Sequence, residues 1–378
     1  MKYFSINKYL LVTIFVTCLM VFFYSTETAS ASEPATYSKV QVTNLNLNRS
    51  GKTLSSSQRI KFPHSHTGFI WNNDDNNTNK WRPQGIAGIA TGEKKFIAVT
   101  WYGRTQANYQ NRGVRISISD VTNIGNVKYR HVLLVDPNYE TYKPSSCNAD
   151  KCNTLHAGGL VYKSGEFHVP DSRNGSKIVR VFSIDEIQEV PTSDRQRFYN
   201  YRYILKEKRQ YSVPIVPSFM SYDWDHDQVL VGRFYKCNGQ DGHSDKTRCS
   251  LSPKNQLAWY SIGNVDNDSP FCSPFISEMQ GAGSMRYGET ADKTLLIASS
   301  YGRGNNSHLH TMRIGDESCY QSGMNVKNNR VITYPPGLED IHMAKTSSNV
   351  WMLTEFGPHE GSSNNRVVFA VKRKHLQP

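Results

Sequence analysis

A three-strand pattern recurs five times between Gln84 and the C-terminus, and it limits the possible folds more than any other feature of the chain. Each copy has three short β-rich runs, and turns rich in Gly, Asn, Asp and Ser separate them. Such runs predict successive antiparallel strands. No long stretch has a sustained helical period, so we expect an all-β chain. The first strands open at Gln84, His156, Pro217, Gln280 and Gly337.

A fourth β-rich run follows each of the first four copies, whereas Pro378 ends the chain just after the third run of the last copy. Four strands per copy and a period of roughly 60 residues are typical of β-propeller blades. We therefore expect five blades, closed by an outer strand from the N-terminal segment, with Val40 to Leu47 as the best candidate. Six blades are the alternative, and they require residues 32–83 to build most of another blade. A β-sandwich or jelly roll does not predict five recurrences.

The N-terminus has the pattern of a secretory signal peptide. A basic start at Lys2 and Lys8 precedes an apolar run from Tyr9 to Tyr24, and the small residues Ala29 and Ala31 form a cleavage site. An uncleaved membrane anchor is the alternative, because the run approaches the roughly 18 residues that span a bilayer. The predicted organisation is a signal peptide over 1–31, an N-terminal segment with the ring-closing strand and an Asn-rich loop over 32–83, and a propeller over 84–378.

The chain is basic, and its charge bears on its partners. The formal charge of +12 becomes +11 once Lys2, Lys8 and Glu27 leave with the signal peptide. A secreted basic protein meets extracellular glycans and anionic cell surfaces before nucleic acid. The basic residues are scattered, so a solvated basic surface is the alternative. We expect a secreted monomer that binds no nucleic acid and has no stable membrane span.

The cysteines are even in number after removal of Cys18, which favours disulfides in an exported chain. Six cysteines allow 15 connectivities, and the sequence does not choose among them. A zinc site is the alternative, but the spacings lack the paired CxxC pattern. Neighbours along the chain would pair as Cys147 with Cys152, Cys237 with Cys249, and Cys272 with Cys319.

Polar and aromatic residues are predicted to meet at one end of the propeller. Adjacent antiparallel strands reverse direction, so the start of each first strand and the end of each second strand lie at the same end. Aromatic rings and arginine forks there suit sugar rings or acidic ligands. Mutual hydrogen bonding of these polar groups is the alternative. The candidate ligand-binding residues are Gln84, Trp101, Tyr102, Arg104, His156, Arg173, Arg233, Gln280, Tyr301 and Arg303.

The candidate catalytic residues lie at the same end. Glu339, Asp171, Glu355 and His156 are the potential acids and bases. Glu339 and Asp340 are adjacent on one strand and point to opposite faces, so they cannot form a catalytic pair. Glycosidase carboxylates stand roughly 5 to 9.5 Å apart, a separation that a sequence does not give. The absence of GxSxG, HExxH and phosphate-loop motifs argues against serine hydrolases, zinc proteases and nucleotide enzymes.

Two acidic tracts are predicted to be turns or loops. The first, NNDDNNTN, spans Asn72 to Asn79 and is expected to be a surface loop. Its carboxylates Asp74 and Asp75 make calcium the one cofactor to consider, although their spacing does not match an EF-hand. The second, YDWDHDQ from Tyr222, is expected to connect the first two strands of the third blade. This turn would lie at the end of the propeller opposite the candidate ligand-binding residues, and we call the end with those residues the mouth. No cofactor is otherwise predicted.

Several motifs resemble those of secreted bacterial propeller-like proteins, most of which have no assigned function. These motifs are PQGIAG at Pro83, YRHVLLVDP at Tyr129, and HAGGLVY at His156 followed by PDSRNGSKIVRVFSIDEI. The resemblance covers most of the mature chain and implies a propeller fold without implying a reaction.

A looser similarity links GLEDI at Gly337 to the inner strands of calcium-dependent lactonases of the gluconolactonase and paraoxonase type. Those proteins hold calcium with axial acidic and amide side chains. Here the matching positions have Gln84, His156, Ser218 and Gln280, and only Glu339 is acidic. The departure argues against calcium binding and lactonase chemistry of that type.

The sequence therefore predicts a secreted, disulfide-stabilised propeller that recognises a glycan or another cell-surface ligand at its mouth. Export, positive charge and the aromatic and arginine residues motivate this interpretation, and a host-directed toxin or virulence factor is one such role. The alternative is an extracellular hydrolase, a glycosidase or lactonase, that uses carboxylates at the same end.

Overall fold

The chain is all-β in the computed structural model. The structure describes residues 37–104, 113–142, 155–235, 256–262, 271–272, 276, 278–288, 290, 292–320, 323–343, 348–360 and 364–378. None of the helices among these residues has the length and hydrophobicity of a transmembrane span. The predicted signal peptide lies outside them, and so do Cys147, Cys152, Cys237 and Cys249; for Cys272 and Cys319 only the backbone is described.

Short elements come first and longer strands follow. The N-terminal segment contains β1 (Ser38–Lys39), β2 (Arg49–Ser50), β3 (Lys52–Thr53), α1 (Ser56–Arg59), β4 (Ser65–Ile70) and α2 (Asn73–Asn77). The next strands are β5 (Trp81–Thr91), β6 (Lys94–Gly103), β7 (Val114–Asp120), β8 (Lys128–Val135), β9 (Val161–Lys163), β10 (Glu166–Asp171), β11 (Ile178–Glu189) and β12 (Tyr203–Ser212). The last are β13 (Phe219–Asp223), β14 (Gln228–Gly232), β15 (Leu257–Tyr260), β16 (Phe271–Cys272), β17 (Met279–Arg286), β18 (Lys293–Ser299), β19 (Ser307–Tyr320), β20 (Gly323–Tyr334), β21 (Leu338–Met343), β22 (Asn349–Thr354) and β23 (Val367–Lys372). Short 3-10 helices lie at Val42–Asn44, Ile124–Asn126, Arg173–Gly175, Arg195–Phe198, Pro358–Glu360 and Arg373–His375.

The strands pair into successive antiparallel units. In the described residues these are unit 1 (β5 to β8), unit 2 (β9 to β12), unit 3 (β13 to β16), unit 4 (β17 to β20) and unit 5 (β21 to β23 with β4 and β3). The outer strands of units 1 and 2 also pair, since β12 runs parallel to β8 from Ile204 and Leu133 onward. The acidic turn after Asp223 connects β13 to β14, as the sequence predicts.

The first strands of the units surround a common axis. β5 contacts β9, β9 contacts β13, β13 contacts β17, β17 contacts β21, and β21 contacts β5. Glycines allow this close approach, because a Cβ added to Gly85 would lie 2.3 Å from the carbonyl carbon of Gly159, and one added to Gly159 would lie 2.1 Å from the Met220 nitrogen. Antiparallel sheets arranged radially in this way are typical of a β-propeller.

The apolar core lies between neighbouring units. Separate clusters of buried side chains join unit 1 to unit 2, unit 2 to unit 3, unit 3 to unit 4, unit 4 to unit 5, and unit 5 back to unit 1. In the last of these, Phe69 and Trp71 of the N-terminal segment pack with Ile86 of β5 and Val368 of β23. Each unit is therefore buried on both faces, and burial alone does not distinguish the two faces of a strand.

The outer strand of unit 5 is not the predicted one. β4 pairs with β23, placing Phe69 opposite Val368, whereas Val40 to Leu47 forms a short 3-10 turn and irregular chain. The apolar residues Val42 and Leu45 are nevertheless buried, because they pack on the core between units 1 and 2. The alternation in that run therefore reflects burial over two sheets and not strand pairing.

The Asn-rich tract is also not the predicted surface loop. It forms α2, whose N-cap Asn72 accepts a hydrogen bond from the Asp75 nitrogen. Asp75 is 3% exposed, and Asn76 is 6% exposed. Arg366 explains part of this burial, because its guanidinium donates to the backbone oxygens of Asp75 and Thr78 at 2.8 and 2.7 Å. Polar side chains here satisfy buried partners.

Candidate functional site

A cavity of about 350 Å³ opens at the end where the first strands begin and the second strands finish, and we call it the mouth cavity. Residues from all of the units contribute to it, because each hairpin brings one strand start and one strand end to this end. The lining residues are Arg82, Gln84, Tyr102, His156, Gly158, Ser172, Arg173, Asn174, Ser218, Phe219, Phe234, Gln280, Glu339 and Glu355.

Two carboxyl groups line the mouth cavity as a hydrogen-bonded pair. Glu339 of β21 is 1% exposed, and Glu355, which follows β22, is 6% exposed. Burial raises the pKa of Glu339 well above its usual range, and the charge and hydrogen bond of Glu355 raise it further. Burial also raises the pKa of Glu355, but Arg82 opposes that effect. Glu339 is therefore the protonated partner, and it donates to the Glu355 carboxylate.

Arg82 anchors this pair to a cluster of charges. Its Nη1 donates to Glu355 Oε1 at 3.0 Å and to the Tyr102 hydroxyl at 3.2 Å. Its Nη2 reaches Glu360 Oε1 at 2.8 Å. Burial disfavours the guanidinium charge, but the two carboxylates outweigh burial and raise the pKa of Arg82. Arg82 therefore remains a cation that favours the ionised form of Glu355 over that of Glu339.

Glu360 binds four arginines at the edge of the cavity. It lies in the 3-10 helix Pro358–Glu360 and is 5% exposed. Its Oε1 also accepts from Arg104 at 3.0 Å and from Arg303 at 3.2 Å, and its Oε2 accepts from Arg366 at 2.8 Å. With Arg82 included, four cations surround two carboxylates, Glu355 and Glu360. Among the described residues, this side of the mouth cavity thus carries an excess of positive charge.

Aromatic rings form a second feature of the cavity. The rings of Tyr102 and His156 stack with centroids 4.3 Å apart and an interplanar angle of 27°. The His156 side chain is exposed to the cavity, but the surrounding protein shields it from bulk solvent. This burial, together with the positive charge of Arg82, lowers the pKa of His156 to about 4. His156 is therefore neutral near pH 7, with one donor and one acceptor nitrogen. Phe234 is 38% exposed and adds an apolar surface.

Asp171, a predicted acid or base, lies behind the cavity lining. Its carboxylate accepts from Arg173 Nη2 at 2.7 Å and from Arg180 Nε at 2.8 Å. Burial acts to raise the pKa of Asp171, but the two arginines lower it. Asp171 therefore stays ionised in an ion-pair network, while Arg173 itself lines the cavity.

The remaining predicted residues occupy different environments. Gln84 and Gln280 line the cavity, and the Gln84 amide donates to the Pro83 oxygen at 2.9 Å. Trp101 is fully buried and packs edge-on against Trp71, with ring centroids 4.9 Å apart, so its ring does not face the cavity. The other predicted residues that lie outside the cavity lining are Arg104, Arg233, Tyr301 and Arg303.

Residues of the site that were not identified from the sequence include Arg82, Glu360 and Asn174, the last of which lies in the 3-10 helix Arg173–Gly175. Arg82 lies two positions before Gln84 in β5, so period-2 alternation gives a signal for it. Glu360 follows Glu355 within a turn, and nothing local distinguishes it from a surface residue. Within the described residues, no group of three or more His, Cys, Asp or Glu side chains is placed to hold a metal ion.

Comparisons with known proteins identify no family. No protein-family model matches the chain, and a search of curated protein sequences finds no match. Among solved structures, the GH43_1 enzyme from Xanthomonas citri complexed with xylose is similar at 9% identity and a TM-score of 0.42, over 79% of this chain and 89% of that one. The Bombyx mori GH32 β-fructofuranosidase is similar at 8% identity and a TM-score of 0.38, over 76% and 59%. The Dos1 propeller is similar at 9% identity and a TM-score of 0.30, over 80% and 72%. At these low scores, neither residues nor activities of those proteins are carried over to this chain.

Proposed function

We propose that the protein is a carbohydrate-active hydrolase, with Glu339 as the proton donor and Glu355 as the proton acceptor. The observation that carries this proposal is the buried carboxyl pair in the mouth cavity, one member protonated and the other held ionised by Arg82. Neighbouring carboxyls with different protonation states are a common acid and base arrangement in hydrolases. The Tyr102 and His156 rings supply a flat surface for a sugar.

The proton balance of hydrolysis fits this pair. Glu339 gives its proton to the departing oxygen as the scissile bond breaks, while Glu355 takes a proton from the water whose oxygen attacks the electrophilic carbon. After product release, the hydrogen bond between the carboxyls returns the proton from Glu355 to Glu339. The net change is the addition of one water to the substrate.

The direct hydrogen bond between the carboxyls bears on which bond is cleaved. Glycosidase carboxylates stand roughly 5 to 9.5 Å apart, so cleavage of a glycoside requires the sugar to separate Glu339 from Glu355. A carboxyl pair that shares one proton acts on a carbonyl carbon, such as that of a sugar lactone, without separation. The activity assay therefore includes substrates with glycosidic bonds and substrates with lactone bonds.

Activity measurements on matched variants test the proposal. Purified protein is assayed with a panel of 4-nitrophenyl glycosides, polysaccharides and sugar lactones. We expect turnover of at least one class, and Glu339→Gln should reduce kcat by about 100-fold or more while the protein stays folded. Glu93 lies in the exposed turn between β5 and β6, at the end of unit 1 away from the mouth cavity. Glu93→Gln is therefore the matched control and should retain activity. Unchanged turnover in Glu339→Gln would exclude that residue as the essential acid.

Glycan binding without turnover is the second candidate. It is favoured by the mutual hydrogen bond of Glu339 and Glu355, by the stacked rings, and by the exposed Phe234. A glycan array separates the two functions. Binding by the wild-type protein that is lost in Phe234→Ala, with no hydrolysis of the bound glycan, would favour recognition.

We propose in addition that the fold has five blades and that the protein is exported. Five blades are supported because β1 to β4 join units 1, 2 and 5 and do not form a separate sheet in the described residues, and β4 would close the ring. Export to the extracellular space, where glycans and anionic surfaces are the partners, is supported by the residue pattern of 1–31. Expression in a secreting bacterial host with N-terminal sequencing of the product tests export, and Ser32 is the expected first residue.

A further inference from the structure

The charges at the mouth cavity restrict which sugars it accepts. Arg82 and Arg173 both line the cavity, whereas Glu355 is the one lining carboxyl that we assign as ionised among the described residues. His156 is neutral, as is Glu339. A ligand in the cavity thus faces more positive than negative charge.

The arginine networks behind the cavity preserve this excess. On one side, Arg82, Arg104, Arg303 and Arg366 surround Glu360, with Glu355 as the second carboxylate. Among the described residues, two positive charges therefore remain unmatched there.

On the other side, the charges balance. Arg173 and Arg180 share Asp171, and Arg180 also reaches Glu207 at 2.7 Å. Two guanidinium groups thus face two carboxylates. Counted over the described residues, the two networks together carry net positive charge beside the cavity.

Arg173 has the geometry of a ligand-binding group. Its Nε and Nη2 donate to Asp171 at 2.9 and 2.7 Å, and its backbone nitrogen donates to the same carboxylate at 3.2 Å. Its Nη1 makes no hydrogen bond to any described residue, and its side chain is 23% exposed. Asp171 therefore fixes one edge of the guanidinium and leaves the other edge for an incoming oxyanion.

We propose that the ligand is an anionic sugar, a uronic acid or a sulfated sugar, and that Nη1 of Arg173 binds its oxyanion. The planar fork of arginine matches carboxylate and sulfate oxygens. Asp171 and Arg180 act as positioning residues for that fork. This inference rests on the proposed function of the mouth cavity as a carbohydrate site.

Binding to matched oligosaccharides tests the inference. The probes are oligogalacturonates and their fully methyl-esterified forms, together with chondroitin sulfate oligosaccharides and their desulfated forms. We expect the wild-type protein to bind one acidic form at least about 10-fold more tightly than its uncharged partner. Arg173→Ala should abolish this preference without weakening binding of the uncharged form, and Arg173→Lys should restore only part of it.

Arg209→Ala is the matched control, since it removes the same charge from an arginine that pairs with Glu166 outside the cavity. It should keep the preference. Selection of oligogalacturonate identifies a carboxylate ligand, and selection of the sulfated form identifies a sulfate. Equal binding of charged and uncharged forms would overturn the anionic subsite while leaving the proposed carbohydrate site intact. Binding of no probe would overturn both, and retained preference in a folded Arg173→Ala variant would overturn the role of Arg173.

Discussion

Replacing Asp75 with Asn should destabilise the protein strongly, because this buried carboxylate is the counter-ion of a buried arginine. It accepts hydrogen bonds from Arg115 at 2.8 Å, Arg49 at 3.1 Å, the Tyr129 hydroxyl at 2.6 Å and His131 Nε2 at 2.9 Å. Burial acts to raise the pKa of Asp75, but His131, which donates a hydrogen bond, and the charges of Arg115 and Arg49 hold this pKa well below its usual range.

The expected size of the loss follows from the partner that is left behind. Arg115 is 5% exposed, and Asp75 is its one acidic partner among the described residues, so removal of the Asp75 charge leaves a buried guanidinium without that counter-ion. Breaking a buried ion pair costs about 3 to 5 kcal/mol. Because Asn keeps the shape and one acceptor oxygen, we expect a loss near the lower limit, about 3 kcal/mol in the free energy of unfolding.

Urea denaturation at pH 7 measures this loss, and the neighbouring carboxylate provides the control. Asp74 has a side chain that is 82% exposed and lies 3.7 Å from Arg49. Asp74→Asn should therefore change the free energy of unfolding by less than about 0.5 kcal/mol. A loss below about 1 kcal/mol in Asp75→Asn, or an equal loss in both variants, would refute the assignment of Asp75 as a buried counter-ion.

Two further predictions concern stability. Burial and Arg115 lower the pKa of His131 to about 4, below its unfolded value of roughly 6.5, so its contribution is present above pH 6.5 and is lost as the pH falls toward 4. Between pH 7 and pH 5, protonation of His131 in the unfolded state should lower the free energy of unfolding by about 2 kcal/mol. Urea denaturation at the two pH values should therefore show a loss that is smaller by about 2 kcal/mol in His131→Gln than in the wild-type protein, and equal losses would contradict this prediction. Gly159→Ala should cost about 3 kcal/mol or more, because its Cβ would lie 2.1 Å from the Met220 nitrogen, whereas Gly304→Ala meets nothing within 4 Å and should be nearly neutral in thermal unfolding. Similar stabilities of the two alanine variants would contradict this account.

The all-β class and the positions of most strands could be predicted from the sequence, because turn residues and β-rich runs are local signals. The run opening at Gln84 lies in Trp81–Thr91, and GLEDIHMA corresponds to Leu338–Met343. The run at His156 was predicted less well, since its paired strand is only Val161–Lys163. Hairpin reversal also places several predicted residues around one cavity, and this argument needs only the direction of neighbouring strands.

The facing of individual side chains could not be predicted, because the blades are covered on both sides. In Lys94–Gly103 the six residues from Phe96 to Trp101 are all buried, so alternation gives no contrast between the two faces. Trp101 packs on Trp71, while its neighbour Tyr102 lines the cavity.

The burial of Asp75 could not be predicted for a related reason. Its partners Arg49, Arg115 and His131 come from distant parts of the chain. The sequence around Asp75 is equally polar whether these side chains face water or one another, so it does not reveal that Asp75 is buried.

The position of the carboxyl pair follows from an irregularity in β21. The register with β22 shifts between Leu338 and Ile341, so Glu339 and Asp340 lie in a bulge at the start of the strand. Bulges re-aim side chains, and they occur often beside functional sites. Here Glu339 faces the cavity.

Asp340 points away from the cavity and binds the chain behind it. Its Oδ2 accepts from the backbone nitrogens of Ile86 at 3.0 Å and Leu160 at 3.2 Å. These nitrogens belong to strand β5 of unit 1 and to the chain entering unit 2, so Asp340 fixes the bulge to two other units. The two adjacent carboxyls thus have separate tasks: Asp340 holds the strands in place, and Glu339 is held against Glu355 without relying on a loop. The proposed proton donor therefore lies on a strand that Asp340 anchors to two other units, and such preorganisation is what the proposed acid catalysis requires.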